Sequence, residues 1–226
     1  MNKLSNNQVF QKLRDYERNQ NGARPGFFTP LALHRGDHDL NPDFKPQTDE
    51  LTEAAIVVPL VQRPEGINVL LTERSKHLRN HPGQVGFPGG RKDPEDADAL
   101  ETALRELHEE IAIEPEQVTI LTCLDTYITR TGFKITPVVA ELDPQIKPVP
   151  DPSEVEEVFE VPLSFFLDPT NRKVESRFYG GKDRYFYAYH HEGHYIWGVS
   201  AGIVINLIEA LLGPIATAEA AHCIND

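Results

Sequence analysis

Residues 98–111 fit one regular structure well. Leu100, Ala103, Leu104, Leu107 and Ile111 recur at spacings of three and four, which gathers them into one stripe of an α-helix. Asp96 or Asp98 stands where an N-cap belongs, acidic residues crowd the first turn, and Pro115 lies just beyond the end. Away from the apolar stripe runs Arg105-Glu106-Leu107-His108-Glu109-Glu110. Glu106 and Glu110 are i and i+4, one turn apart on one face, and Glu109 borders that face. Three carboxylates on one patch repel one another unless a cation joins them. Hard divalent cations take such oxygens, and Mg²⁺ keeps coordination sites open for water and phosphate oxygens. A run of Glu on a helix is ordinarily a solvated face. Here Gly89-Gly90 closes a tight loop just upstream, and glycine lets backbone approach an ion or a phosphate closely.

The remainder of the chain alternates strand and helix signals. Residues 1–20 place Val9, Phe10, Leu13 and Tyr16 at near-helical spacing, and residues 21–50 carry Gly22, Pro25, Pro30, Pro42 and Pro46. The expected organisation is therefore an N-terminal helix and Pro-rich arm over 1–50 and one domain with a C-terminal helix over 51–226. Ala54–Val61 and Asn68–Thr72 read as strands around the turn signal Pro64-Glu65-Gly66, and His81–Gly90 reads as a loop. Val118–Thr129 and Lys134–Leu142 read as a hairpin through Arg130-Thr131-Gly132. Pro144–Pro152 is a loop, and Val155–Phe166 is apolar but interrupted by Pro162. Arg177–Tyr179 and Tyr185–His190 alternate around Gly180-Gly181, and Val199–Leu212 reads as a final helix. The order gives an α/β or α+β class with a mixed sheet.

Charge narrows the function. With 22 Lys+Arg and 35 Asp+Glu the chain carries −13 at pH 7, which argues against a generic nucleic-acid coat. The charge is partitioned. Residues 70–92 hold Arg74, Lys76, Arg79, Arg91 and Lys92 against Glu73 alone, and residues 93–110 hold eight acids against Arg105 alone. Two cysteines, Cys123 and Cys223, make no disulfide framework, and Met1–Asn7 has no apolar segment, so a cytoplasmic setting is expected. The apolar stretch Ile196–Ala221 is broken by Asn206, Glu209, Gly213 and Pro214, so no membrane span is expected.

The segment Gly90–Ile113 resembles the Nudix box, a Gly, then a Glu, then Arg-Glu-hydrophobic-x-Glu-Glu-x-Gly-hydrophobic. Residues 105–113 match its second half except that Ala112 stands where Gly is usual. One extra residue separates Gly90 from Arg105, and Asp96 stands near the Glu position. Upstream, Leu70-Leu71-Thr72-Glu73-Arg74-Ser75-Lys76-His77-Leu78-Arg79-Asn80-His81-Pro82-Gly83-Gln84-Val85-Gly86-Phe87-Pro88-Gly89-Gly90 resembles the signature of the coenzyme A diphosphatase branch of Nudix hydrolases, with every specified position filled.

The resemblance implies an α/β/α sandwich with a mixed sheet and a homodimer as the expected assembly. It also implies metal-assisted attack of water on a diphosphate, with Mg²⁺ or Mn²⁺ held by Glu106, Glu110 and Glu109. Coenzyme A or a derivative is the implied substrate, giving 4′-phosphopantetheine and adenosine 3′,5′-bisphosphate. ADP-ribose or a dinucleotide is the alternative, and a non-catalytic nucleotide sensor is disfavoured by the intact Glu cluster.

Arg74, Lys76 and Arg79 are candidates for phosphate contacts, with Gly89 and Gly90 lining the site. Arg105 is expected to anchor the helix through a carboxylate. Glu109 is a candidate general base, and Glu154 and Glu157 are the alternatives on a later loop. His77 and His81 read as surface residues, and Gln84 and Phe87 as supports of the loop. Phe133, Tyr127 and Trp197 are open as partners for an adenine ring, with Trp197 expected in the core.

Overall fold

The computed structural model describes residues 4–21, 34–44 and 51–215. Of the arm expected over 21–50, residues 22–33 and 45–50 lie outside the described residues, as does Cys223.

The chain is built on two long apolar strands, β2 (Thr52–Arg63) and β8 (Phe133–Leu142), which run parallel from Thr52 opposite Phe133 to Val61 opposite Leu142. Parallel strands covered on both faces read as near-continuous apolar runs. Ala55 and Val57 point into one core, and Ile56, Val58 and Leu60 into another. Around this pair a nine-stranded mixed sheet forms. β1 (His34–Gly36) joins β7 (Thr126–Ile128), which joins β8; β2 joins β3 (Gly66–Arg74), which joins β4 (Val85–Gly86). Off this path β5 (Gly89–Arg91) pairs with β2, β6 (Val118–Cys123) with β8, and β9 (Val155–Pro162) with β3. A separate antiparallel sheet holds β10 (Lys173–Tyr179), β11 (Lys182–His191) and β12 (His194–Trp197).

Helices cover both faces. α2 (Ala99–Ile111) lays Ala103, Leu107 and Ile111 on Ala55, Val57, Leu70, Val138 and Ala140. α1 (Asn6–Asn21) and α4 (Val199–Leu212) cover the other face. Val9, Phe10 and Leu13 of α1 enter the same core as Ile203, Val204, Leu207 and Leu211 of α4. The short α3 (Leu163–Leu167) follows Pro162, which supplies no N–H to continue β9. Among the described residues, no helix is long and apolar enough to cross a membrane.

Three local expectations are corrected. The loop expected over 81–90 contains β4 and the start of β5, because the glycines admit close pairing. A Cβ at Gly89, whose φ is +151°, would lie 2.4 Å from the Ala55 carbonyl oxygen. The strand expected over Val118–Thr129 breaks at Leu124-Asp125, where the pairing with β8 slips by one residue between Cys123 opposite Val138 and Tyr127 opposite Ile135. Trp197 is half-buried on the three-stranded sheet and not in the core, with the Arg177 guanidinium 4.2 Å from its ring centre.

The ends of α2 are explicit. Asp98 caps it, its carboxylate accepting from the Leu100 and Glu101 N–H groups at 2.9 and 3.0 Å. Ala112 closes it in the left-handed region, φ 53° and ψ 40°, and donates its N–H to the His108 carbonyl at 2.8 Å. That conformation is why glycine suits this position. Ala112→Gly is expected to raise unfolding free energy by about 1 kcal/mol, since the left-handed conformation costs an L-residue about that much. An unchanged urea midpoint would contradict it.

Candidate active site

The acidic face of α2 meets the β2–β5 pair. Gly90 packs so tightly on Glu106 that a Cβ there would lie 2.4 Å from Glu106 Oε1. The Gly89 N–H donates to Glu110 Oε2 at 3.3 Å. On the other side Arg74, near the end of β3, brings Nη1 to 3.8 Å from Glu110 Oε1. The last residues of the upstream motif and the acidic helix therefore share one site. Glu106, Glu110, Gly89, Gly90 and Arg74 come together in it.

Arg105 organises the helix face. Its Nε and Nη2 donate to the two oxygens of Asp96, both at 3.0 Å, and its Nη1 donates to Glu106 Oε1 at 3.0 Å and to Glu109 Oε2 at 2.8 Å. Nη2 also donates to the Arg91 carbonyl at 3.1 Å. Asp96 is buried, and its bidentate bond to Arg105 holds its carboxyl well below the usual range. The sequence offers Asp96 or Asp98 as the N-cap; the structure gives the cap to Asp98 and makes Asp96 the anchor of Arg105. The sequence signal was present, an acid just before a helix whose Arg can reach back across its first turns.

Electrostatics separate the three glutamates. Burial pushes the Glu110 carboxyl up to about 8, against the opposing pull of Arg74 and the Gly89 N–H, with repulsion from Glu106 and Glu154 adding to the rise. Burial also raises Glu106; Arg105 opposes the rise, and Glu109 and Glu154 reinforce it. Glu109 is exposed and held by Arg105. Two carboxylates whose charge is disfavoured, beside a third and beside backbone glycines, make a donor set that suits a hard divalent cation.

The later acids part company. Glu154 acts electrostatically on both Glu106 and Glu110, and its carbonyl accepts from the Ser75 N–H at 2.8 Å, which ties its turn to the start of the motif loop. Glu157 sits opposite Glu73 across β9 and β3, and their carboxylates gather with His194. Glu73 precedes Arg74 on its strand, so this group lies on the sheet face away from α2.

Of the other candidates, Lys76 is exposed and reaches Glu73 and Glu156 at 3.5 and 3.9 Å. Arg79 is exposed on the loop, as are His77 and His81. Phe87 is buried, and the Gln84 carbonyl accepts from the Arg74 N–H at 3.0 Å. Tyr127 is in the core with its hydroxyl on Asp37 at 3.0 Å.

The profile of the NUDIX domain matches residues 50–179. A protein of Enterobacter sp. (strain 638) named "Uncharacterized Nudix hydrolase NudL" is 41% identical over 155 residues, covering 69% of this chain and 80% of its own length. A protein of the same name from Escherichia coli K12 is 38% identical over 168 residues, covering 74% and 87%. Among solved structures, a Caenorhabditis elegans Ap4A hydrolase binary complex aligns with a TM-score of 0.44 at 26% identity, over 49% of this chain and 80% of its own.

Proposed function

The chain belongs to the Nudix hydrolase family, and from that premise we propose that it hydrolyses the diphosphate bond of coenzyme A or its derivatives, releasing 4′-phosphopantetheine and adenosine 3′,5′-bisphosphate. The observation that carries this reading is the Arg74–Glu110 approach. It sets the first cation of the upstream basic segment, the one that resembles the coenzyme A diphosphatase signature, 3.8 Å from the carboxylate patch. Membership in the family brings a divalent metal requirement, and Mg²⁺ or Mn²⁺ suits the oxygen donors of Glu106, Glu110 and Glu109. When bound there, such an ion neutralises diphosphate charge and acidifies a water molecule.

The chain's own groups have distinct tasks. Arg74 sits beside the patch and offers planar donors to a phosphoryl oxygen. Arg79 and Lys76 project from the loop that follows and meet the outlying phosphate. Gly89 and Gly90 keep the floor of the site free of side chains. Arg105 orients Glu106 and Glu109 without touching substrate, and Asp96 holds Arg105.

A carboxylate must take the proton of the attacking water. Glu109 is already engaged by Arg105, whereas Glu154 faces the patch on a turn of its own, so we assign the base to Glu154. Glu154→Gln is expected to lower kcat by about 10²–10³-fold, with KM little changed. A kcat within twofold of the parent protein's would return the role to Glu109.

The reading of the 3′-phosphate has its own test. Coenzyme A should exceed dephospho-coenzyme A in kcat/KM by about tenfold or more, the scale of one charge-assisted contact. Equal values would mean that the basic segment does not read that phosphate. Cleavage of ADP-ribose without cleavage of coenzyme A would favour the alternative substrate class.

A further inference from the structure

Arg91 stands apart from its neighbours. Arg35, Arg63, Arg74 and Arg105 each lie against a carboxylate, and among the described residues no ion pair is found for Arg91. Its guanidinium instead lies 5.1 Å from the ring centre of Phe133, the first residue of β8. Arg91 is exposed and Phe133 half-buried. In a protein of charge −13, a cation spread over an aromatic ring, with no ion pair among the described residues, is a surface that suits a flat, electron-rich ligand.

Its position gives that surface a purpose. Arg91 follows Gly90 directly, and its carbonyl accepts from Arg105, so its backbone is part of the patch's wall. The register places Arg91 opposite Ala54 and Ala54 opposite Ile135, two residues from Phe133. At strand spacings of about 4.8 Å and about 3.3 Å per residue, the two Cα atoms stand about 12 Å apart. Gly90 faces Glu106, so by strand alternation the Arg91 side chain leaves the same wall on the other sheet face and spans that interval to the ring. The other two aromatic candidates are placed elsewhere. Tyr127 is buried with its hydroxyl on Asp37, and Trp197 belongs to the separate three-stranded sheet, between Phe186 and Tyr195.

We propose that Arg91 and Phe133 form the stacking platform for the purine base of the substrate's nucleotide half, and so set its preference for an adenine nucleotide. The inference rests on the reading that the substrate is a nucleotide diphosphate, and it holds for coenzyme A and ADP-ribose alike. Stacking supplies affinity through the π-face, with the guanidinium adding a cation–π contribution.

The test uses AMP and ribose 5-phosphate as competitive inhibitors of the full-length enzyme, assayed on whichever diphosphate it turns over. Phe133→Ala is expected to raise the inhibition constant of AMP about tenfold, the scale of losing one base–aromatic contact. Ribose 5-phosphate should be unaffected, and the change on substrate should fall in KM and not in kcat. Phe133→Trp should restore AMP binding, and Phe133→Leu, which keeps apolar volume and takes the place of the alanine variant if that folds poorly, should show the same loss for AMP while folded. An unchanged constant for AMP, or equal losses for both inhibitors, overturns the proposal. So does Arg91→Ala abolishing a preference for adenosine 3′,5′-bisphosphate over AMP while Phe133→Ala changes nothing, since Arg91 would then be reading a phosphate. Because the assay follows any turned-over diphosphate, failure with coenzyme A would leave this test intact.

Discussion

Glu110→Gln is expected to cost about 10³-fold in kcat while leaving a folded protein. Glutamine keeps the shape, and its side-chain oxygen can still accept the Gly89 N–H that Glu110 Oε2 accepts. What it loses is the charge that a cation needs. The variant has a second signature. In the metal-free protein burial lifts the Glu110 carboxyl to about 8, above its unfolded value of roughly 4.3. Between those values the unfolded chain has released a proton that the folded chain retains, so stability falls as pH rises through that window. Glu110→Gln removes this slope and should be the more stable protein at pH 8 without metal. Divalent metal added to the parent protein at pH 8 should raise its Tm, and the variant should respond much less. Full turnover in a folded Glu110→Gln would refute its place in the site, and loss of folding would refute the energetic account.

Arg105→Leu is expected to lower unfolding free energy by about 2–3 kcal/mol. Removing one partner of a buried pair usually costs about 3–5 kcal/mol, and here Arg105 keeps some exposure while Asp96 is buried. For a chain of this size the loss corresponds to a Tm decrease of roughly 4–12 °C. Activity should fall as well, because Glu106 and Glu109 lose their common anchor. The pH dependence runs opposite to that of Glu110. Arg105 depresses the Asp96 carboxyl, so the pair's contribution is full above the unfolded value of roughly 3.9 and fades as pH falls toward the lower folded value. The double variant Asp96→Asn/Arg105→Leu should recover part of the loss, since no lone charge then stays buried. A double variant no more stable than Arg105→Leu would show that the pair matters by packing and not by charge.

The elements legible in the sequence were those whose periodicity answers to a single core. Leu100, Ala103, Leu107 and Ile111 lie along one stripe, and α2 forms over nearly the expected span. Ile56, Val57 and Val58 face two cores at once, and β2 forms as a continuous apolar strand. What periodicity does not carry is pairing across distance. β4 and β5 are two and three residues long, too short for a pattern; β4 forms by pairing with β3, and β5 because Gly89 allows backbone to reach Ala55. The break at Leu124-Asp125 is a pairing event, a one-residue slip in register against β8. The site follows the same division. Glu106 and Glu110 come from helical spacing alone. That Glu154 acts on the patch and Glu157 does not follows from the turn that ends just before β9 and the register shift at Glu73-Arg74, which no local signal marks.

The most direct measurement of the central claim is product identification by mass after incubation of the protein with Mg²⁺ or Mn²⁺ and, separately, coenzyme A, ADP-ribose and a diadenosine polyphosphate. The account predicts 4′-phosphopantetheine and adenosine 3′,5′-bisphosphate from coenzyme A, at a kcat/KM above those for the other two, and no products when metal is chelated. Intact coenzyme A alongside rapid cleavage of ADP-ribose or the dinucleotide would contradict it.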